Sequence, residues 1–246
     1  MIKSRKELSI IIPSYNELNN LKNLIKRINM ILQKNKNIEI IIVDNGSTDK
    51  SKNYIDNNKK FNSKIKFLRV KKNIGYGYGI KHGLKFATGR IISWTHADLQ
   101  FDINDIVKFF HKNKNLIINK NFFIKGKRKN RTFLDLFFSN GMSIIVNFIF
   151  NTKISDINAP PKIFHRNLVK KILKFGPNDF CLELFLLLLV SKNHLKIHEL
   201  PIKVKNRIND ISKGGSSFFG KIKLTITTFK YILILYFSLN KRIWKL

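Results

Sequence analysis

Cysteine, acidic side chains and turn-forming residues are all scarce in this chain. The single cysteine, Cys181, excludes an internal disulfide, and its place in an apolar helical run suits core packing in a reducing compartment. With 5 prolines and 12 glycines in 246 residues, no Pro/Gly/Ser-rich stretch separates two independent domains. One domain with a C-terminal appendage is therefore expected. Against 47 Lys+Arg stand 15 Asp+Glu, a formal charge of +32 that calls for an anionic partner such as nucleic acid, anionic lipid or a phosphorylated substrate. A coding bias toward Lys, Ile and Asn accounts for part of that excess, and charge alone does not select the partner. Internal repeats are absent, and the Lys-rich tracts are too mixed with aliphatics to count as low complexity. The charged residues 1–7 lead into a short apolar run closed by Pro13, unlike a signal peptide, so a cytoplasmic protein is expected. Residues 222–239 are rich in aliphatics and aromatics, but Lys223 and Lys230 interrupt them and they are barely long enough to span a bilayer. They read as a membrane-surface helix.

The chain is rich in alternation. Residues 8–12, 38–43, 65–70 and 90–94 are short β-branched-rich runs, separated by longer polar segments with helical apolar spacing such as Leu18, Leu21, Leu24, Ile25 and Ile28. This predicts an α/β fold with a mostly parallel sheet covered on both faces, whose ligands bind at the carboxyl ends of the strands. The segment after each strand is polar and specific. After the first comes Pro13-Ser14-Tyr15-Asn16-Glu17, where Pro ends the ladder and Ser14 or Asn16 caps the next helix. After the second comes Asp44-Asn45-Gly46-Ser47-Thr48-Asp49, an acidic turn with a helix-start signal. The third leads into Asn73-Ile74-Gly75-Tyr76-Gly77-Tyr78-Gly79, whose glycines let backbone approach a ligand closely, and the fourth into His96-Ala97-Asp98-Leu99-Gln100. Any one of these loops is ordinary turn chemistry. Four in register are not.

The second half is less regular. Residues 121–125 read as a strand leading into a basic cluster of Lys125, Lys127, Arg128, Lys129 and Arg131, then a long apolar helix over 133–150. Pro160-Pro161 breaks the chain before a short strand at 162–165 and a helix at 167–174. The continuously apolar 182–190 predicts a buried helix, and 197–204 a strand whose Pro201 marks an edge or terminus.

Moving a sugar from a nucleotide donor needs a pocket for base and ribose, compensation for a diphosphate leaving group and a positioned nucleophile. Asp44, at a strand end, can accept hydrogen bonds from a base N–H or ribose hydroxyls, with Tyr15 and Glu17 flanking the base. Asp49 reads first as a helix cap.

Pro13-Ser14-Tyr15-Asn16-Glu17, Val43-Asp44-Asn45-Gly46-Ser47-Thr48-Asp49, Asn73-Ile74-Gly75-Tyr76-Gly77 and Ala97-Asp98-Leu99-Gln100 resemble, in order and spacing, the family 2 glycosyltransferases. The branch they are most similar to contains dolichol- and polyprenyl-phosphate sugar transferases. The resemblance is strong over about 8–105 and looser through Asp156-Ile157-Asn158 to the Arg207 region. It implies a GT-A fold over 1–217, divided into a nucleotide-sugar half (1–112) and an acceptor half (113–217), with 218–246 as the C-terminal helix. It further implies a nucleotide-sugar donor, a polyprenyl-phosphate or other cell-envelope glycan or lipid acceptor, usually a divalent cation (Mg2+ or Mn2+), and most often inversion. Pro13, Tyr15, Glu17 and Asp44 match positions that hold the nucleotide, joined by Asn73, Gly75, Gly77 and Ala97 of the shared motifs. Asp98 matches the second Asp of the Asp-x-Asp metal motif and Gln100 the polar residue after it, while His96 stands where the first Asp is expected.

That departure leaves several readings open. A hard cation such as Mg2+ prefers oxygen ligands, whereas imidazole suits Mn2+ better. Either His96 and Asp98 bind a softer ion, or Asp98 holds the metal alone, or His96 donates to the diphosphate, or it only caps the loop. On the acceptor side, a phosphate monoester is already anionic and needs positive charge more than a base. Arg128 and Arg131 offer forked donors, with charge added by Lys125 and Lys127. The family's Gly-x-Arg stretch that serves the acceptor phosphate is matched by Gly126-Lys127-Arg128. For a hydroxyl acceptor Asp156 is the best candidate base, although it can equally pair Arg128, and Glu183 and Glu199 are weaker ones. Arg207 and Gly214-Gly215-Ser216-Ser217 resemble a late segment that closes over the diphosphate and acceptor.

Three rivals differ in class. A nucleic-acid-binding protein is suggested by charge, but zinc-finger spacing and an RNP-like strand are both missing, so no nucleic-acid partner is expected. A sugar nucleotidyltransferase would place a Gly-rich, Arg-containing loop after the first strand, where Pro13 to Glu17 stand here. A catalytically inactive relative that binds a nucleotide-sugar is the third, because of His96. The expected setting is the cytoplasmic face of an anionic membrane surface, reached peripherally through the C-terminal helix.

Overall fold

The β-branched runs assemble into one sheet. The computed structural model describes residues 6–61, 64–118, 120–130, 132–205, 218–238 and 244. Its strands are β1 (Leu8–Ser14), β2 (Ile38–Asp44), β3 (Ile65–Arg69), β4 (Ile91–Trp94), β5 (Phe122–Lys129), β6 (Lys162–His165) and β7 (Lys196–Lys203), in the order β3-β2-β1-β4-β6-β5-β7. Every adjacent pair is parallel except those made by β6, which runs antiparallel to both β4 and β5. The mostly parallel sheet expected from the sequence is the one found. The helices are α1 (Leu18–Lys34), α2 (Ser51–Phe61), α3 (Tyr76–Phe86), α4 (Ile103–Lys112), α5 (Lys114–Ile118), α6 (Phe133–Phe150), α7 (Val169–Phe175), α8 (Cys181–Lys192) and α9 (Phe218–Tyr236).

Period-two alternation divides the apolar side chains between two layers. Ile10, Ile12, Ile40 and Ile42 face one side, where they meet Leu21, Leu24, Ile25 and Ile28 of α1 and Ile103, Ile106, Val107 and Phe110 of α4. Ile11, Ile41, Val43 and Trp94 face the other, against Ile80 and Leu84 of α3 and the apolar run of α8. All residues of β1 and β2 are buried, which is why their sequences show continuous hydrophobicity instead of alternation. In α8 every residue from Cys181 to Val190 is buried, as an apolar run without a polar stripe predicts.

Three boundaries differ from expectation. β1 continues through Pro13 to Ser14, because Pro13 lacks only the N–H and the ladder beside it goes on: Asn45 N donates to Ser14 O at 2.8 Å. β5 extends to Lys129, so the basic cluster begins as strand and not as a turn. There Lys125 and Lys127 pair across to β7, opposite Glu199 and Pro201. The segment after β6 opens with a 3-10 turn, Arg166–Leu168, before α7.

The apolar helix α6 is the larger surprise. Among the described residues it is the one helix long and apolar enough to cross a membrane, with mean hydropathy 1.6, yet only 22% of it is buried. Phe133, Phe137, Ile144 and Phe148 point outward, Phe148 with 89% exposure. α9 packs against α6 and exposes Ile226, Phe229, Leu233 and Ile234 beside it, while Ile232 and Leu235 enter the core. Sequence patterning assigns surface apolarity to the C-terminal helix alone. α6 carries more of it.

On the sheet's far end, Glu39 is a buried carboxylate that Ser9 Oγ (2.5 Å), Thr88 Oγ1 (2.9 Å) and Gly89 N (3.3 Å) all donate to, with Lys66 Nζ at 3.6 Å. Burial raises its pKa, but the hydrogen bonds from Ser9 and Thr88 and the Lys66 charge outweigh it, so the net shift is downward. A carboxyl with a depressed folded pKa stabilises the fold above its ordinary range and loses that contribution as pH falls through the folded value. Glu39→Gln is expected to cost about 1–3 kcal/mol at neutral pH. In chemical denaturation, the gap from wild type should close progressively as the solution is acidified below pH 4.5.

Candidate active site

The carboxyl ends of β1, β2, β3 and β4 lie side by side, and the loops that leave them are tied to one another. Asn16, held at a positive φ of 53°, clips the first loop to the second. Its N–H donates to Ser47 Oγ at 2.9 Å, and its Oδ1 accepts from Thr48 N at 2.7 Å and Asp49 N at 3.3 Å. Asp49 accepts from Leu18 N (3.3 Å) and Ser51 N (3.0 Å), so one carboxylate receives the first amides of both α1 and α2. The second loop joins the third through Asn45, whose Nδ2 donates to Gly75 O at 2.9 Å, while Asn73 Oδ1 accepts from Gly75 N at 2.9 Å. The third joins the fourth through Tyr76, whose hydroxyl lies 3.3 Å from His96 Nε2.

Pro13 is buried in β1, and Tyr15 and Glu17 are half-buried at its exit, with Glu17 Oε2 accepting from Asn20 Nδ2 at 2.6 Å. Asp44 is 1% exposed. Its Oδ1 accepts from Ser47 N at 2.9 Å, and its Oδ2 accepts from Arg69 Nη1 at 2.7 Å. Asp44, expected to face a nucleotide, is thus paired with a guanidinium that sequence patterning does not single out, although each carboxylate oxygen keeps a second lone pair. Ser14 Oγ, Asn45 Oδ1 and Thr95 Oγ1, all at these strand ends, are buried polar atoms with no hydrogen-bond partner among the described residues, as are others elsewhere in the fold such as Asn20 Oδ1 and Ser93 Oγ. Buried polar atoms normally find partners, so the three at the rim are available to a polar ligand.

The glycines work differently from expectation. A Cβ on Gly75, at φ 140°, would stand 2.4 Å from Asn178 O, and one on Gly77 would stand 2.6 Å from Pro177 O and 2.7 Å from Asp179 O. The close approach they permit here is to the protein's own 177–179 segment. Tyr78 N donates to Asn178 O at 2.9 Å and seals the same junction.

In the fourth loop Ala97 and Asp98 are buried, His96 and Gln100 half-buried, and Leu99 adopts a positive φ of 60°. Asp98 Oδ1 accepts from Gln100 N at 3.1 Å, and Gln100 reaches Lys205 through two bonds, N of Lys205 to O of Gln100 at 3.1 Å and Nε2 of Gln100 to O of Lys205 at 3.3 Å. His96 packs by ring against Tyr76 and Phe101. Burial first, then the charges of Glu183 and Asp98, raise the Tyr76 hydroxyl well above its ordinary pKa, which keeps it a neutral donor.

On the acceptor side Arg128 and Asp156 form a bidentate pair. Asp156 accepts from Arg128 N at 2.9 Å and Nε at 3.0 Å, and also from Nη2. The sequence leaves open whether Asp156 is a base or a partner for Arg128; the geometry is that of a partner, with Asp156 at a positive φ of 40°. Lys127 Nζ lies 2.6 Å from Glu199 Oε2, and the same carboxylate faces Lys125 at 3.4 Å and accepts from Ser155. Burial, then the nearby Lys162 charge, lower the Lys125 pKa to about 8. The cluster expected to present its charge to an acceptor phosphate is therefore, over Lys125, Lys127 and Arg128, a strand surface paired with the protein's own carboxylates. Arg131, Arg207 and Gly214-Gly215-Ser216-Ser217 lie outside the described residues.

Asn45 and Tyr76 belong to the loop motifs without a role of their own there, Arg69 and Lys162 are given none, and Glu183 enters only as a weak candidate base. Lys162 and Glu183 do carry a signal: each is a lone charge inside an otherwise apolar buried run.

If Arg128 and Asp156 act as a pair, Arg128→Met and Asp156→Asn should each destabilise by about 2–4 kcal/mol, and the double variant by clearly less than their sum. Denaturation of all four proteins in a double-mutant cycle measures the coupling. Additive losses would mean that the two side chains act separately.

Comparison with known proteins places these motifs. The family described as Glycosyl transferase family 2 matches residues 9–173. A dolichol-phosphate mannosyltransferase from Pyrococcus furiosus is 30% identical over 237 residues, an alignment that covers 94% of this chain and 63% of the archaeal protein. A dolichyl-phosphate beta-glucosyltransferase from Trichomonas vaginalis is 28% identical over 236 residues, covering 91% of this chain and 72% of that protein. The chain thus spans less than two thirds of the archaeal relative's length. Among solved structures, glucosyl-3-phosphoglycerate synthase from Mycobacterium tuberculosis, in complex with Mn2+, UDP and glucosyl-3-phosphoglycerate, superimposes with a TM-score of 0.67 at 15% identity, over 95% of this chain and 80% of that one.

Proposed function

The chain belongs to glycosyl transferase family 2 and has the GT-A fold, and from that premise we propose that it transfers a sugar from a nucleotide-sugar donor to a polyprenyl-phosphate acceptor, with inversion. The observation that carries this reading is the hydrogen-bonded linkage of four strand-end loops around orphaned buried polar atoms of Ser14, Asn45 and Thr95. Donor base and ribose belong at the first two loops, against Pro13, Tyr15, Glu17 and the free lone pairs of Asp44, with Asn73, Gly75 and Gly77 shaping the wall beside them. The diphosphate belongs at the fourth loop, Ala97, Asp98 and Gln100.

Asp98 and His96 fit a divalent cation as a carboxylate and an imidazole two residues apart. Among the described residues no group of three His, Cys, Asp or Glu could hold a metal, so diphosphate oxygens and water would complete the coordination. Imidazole tilts the choice toward Mn2+ over Mg2+. Its chemistry there would be to neutralise charge on the departing diphosphate.

The acceptor phosphate oxygen attacks the anomeric carbon; its bond to that carbon forms as the bond to the diphosphate oxygen breaks, and the nucleoside diphosphate leaves. A phosphate monoester, charged near neutral pH, does this without a general base. The engagement of Asp156 by Arg128 favours that acceptor over a hydroxyl, which would need the carboxylate for proton removal. Two of the five guanidinium N–H groups of Arg128 face Asp156, and the others can still meet a phosphate. Arg131 and the Arg207 segment enter this proposal on family resemblance.

For location we propose a peripheral protein on the cytoplasmic face of an anionic membrane, docked through the outward apolar side chains of α6, within the domain spanning 1–217, and of α9, its C-terminal extension. A formal charge of +32 supports an anionic surface. A donor-binding relative without turnover is the second reading, favoured by His96 in place of the family's Asp.

Asp98→Asn is expected to lower turnover at least a hundredfold on radiolabelled nucleotide-sugar and polyprenyl phosphate. Unchanged turnover would remove Asp98 from the mechanism. A thermal-shift screen of nucleotide-sugars with and without Mn2+ should find one donor whose stabilisation needs the cation, on the order of 2.7 kcal/mol at a hundredfold excess over Kd. Stabilisation without product would select the second reading. Sedimentation with anionic vesicles should fall about tenfold or more for each of Phe137→Ser and Phe148→Ser. Retention of wild-type sedimentation would end the docking proposal.

A further inference from the structure

The Lys162–Glu183 pair lies entirely inside the protein, at 0% and 2% side-chain exposure, and takes no part in the mechanism above. The two charges are 2.9 Å apart, Lys162 Nζ to Glu183 Oε2. Lys162 also donates to Ile157 O (3.1 Å) and Ala159 O (2.6 Å), holding the loop that carries Asp156. Glu183 Oε1 accepts from Trp94 Nε1 at 2.9 Å and from the Tyr76 hydroxyl at 3.0 Å. One ion pair therefore reaches three parts of the site: the Asp156 loop, the residue just before Thr95-His96, and the start of α3.

A phenol has a single proton. Tyr76 directs its proton to the Glu183 carboxylate, the stronger acceptor, and stays neutral because burial and that carboxylate both oppose ionisation. At the 3.3 Å contact with His96, the Tyr76 oxygen is then the acceptor, so Nε2 of His96 must be the donor. Stacking on Phe180, with ring centroids 4.6 Å apart, keeps Tyr76 from turning away. In neutral imidazole only one nitrogen carries hydrogen.

We propose that Glu183, acting through Tyr76, is a positioning residue that holds neutral His96 in the Nε2–H tautomer, making Nδ1 its only nitrogen able to act as a ligand or an acceptor. A carboxylate that orients an imidazole from behind is the general way in which a ring nitrogen is selected for a ligand, here with a phenol interposed. This assigns Glu183 a task other than that of a general base, since its oxygens face Trp94, Tyr76 and Lys162 instead of the acceptor. The tautomer is inferred from the Glu183–Tyr76–His96 contacts; the use of Nδ1 toward a cation rests on the donor-site reading above.

The test is long-range 1H–15N correlation on the full chain labelled with 15N-histidine, at a pH well above the ordinary imidazole pKa of about 6.5. His96 is assigned by the signals that His96→Asn removes. Wild type should show the Nε2–H pattern. Tyr76→Phe, which leaves the ion pair intact, should lose the preference, and so should the double variant Lys162→Met with Glu183→Leu, which removes both charges together so that neither is stranded. An Nδ1–H pattern in wild type, or an unchanged tautomer in both variants, would overturn the proposal. In a second arm Mn2+ alone is titrated and the broadening of the His96 ring signals followed, with Tyr76→Phe expected to need about tenfold more Mn2+. Equal Mn2+ requirements would overturn the positioning role. No broadening in wild type would count against His96 as a cation ligand, the donor-site reading, and leave the tautomer measurement to decide this one.

Discussion

Parallel register is the constraint on which the rest of this structure depends. Ser14 lies opposite Asp44, Asp44 opposite Arg69, and Ile11 opposite Trp94, so four strands that run the same way end at a common rim. The loops that leave them have no choice but to meet. At that rim side chains bond loop to loop: Asn16 to the second, Asn45 to the third, Tyr76 to the fourth. Reversal of direction at β6 is what brings the Asp156 loop back beside β4, since Trp94 and Lys162 are register partners.

Burial of charge shapes the second half of the chain in the same way. Lys125 and Lys162 are almost completely enclosed, and an enclosed ammonium is tolerable only when carboxylates or carbonyls face it. Glu199, Glu183, Ile157 O and Ala159 O supply those groups. A chain with a charge of +32 thus places several of its 15 acidic residues as counterions to its own cations: Asp44 with Arg69, Asp156 with Arg128, Glu199 with the enclosed Lys125 and Glu183 with Lys162. The uncompensated positive charge is left to the surface, where an anionic membrane or a phosphorylated substrate can use it.

The apolar helices make the complementary point. α6 and α9 bury one side against the core and each other, yet leave Phe133, Phe137, Phe148 and Ile234 in contact with solvent. Exposed aromatic rings at this density are costly in water and comfortable at a lipid interface. The paired side faces inward and the unpaired apolar side outward, so the proposed docking and the folding would draw on different residues of the same helices.

Sequence alone was enough for the alternation of strands and helices, the two-sided burial of the sheet, the enclosed α8, the four rim loops and the family they resemble. Each of these is local or periodic, written within a dozen neighbouring residues. The partnerships required the tertiary structure. That Asp156 pairs with Arg128, that Gly75 and Gly77 abut residues 177–179, that α6 faces outward, and that Glu183 reaches His96 through Tyr76 all depend on which distant residues share a site. A carboxylate reads identically along the chain whether a guanidinium, an ammonium or a phenol waits across the sheet. Only folding decides which one it meets, because that choice is made between residues separated by tens of positions and joined by strand register.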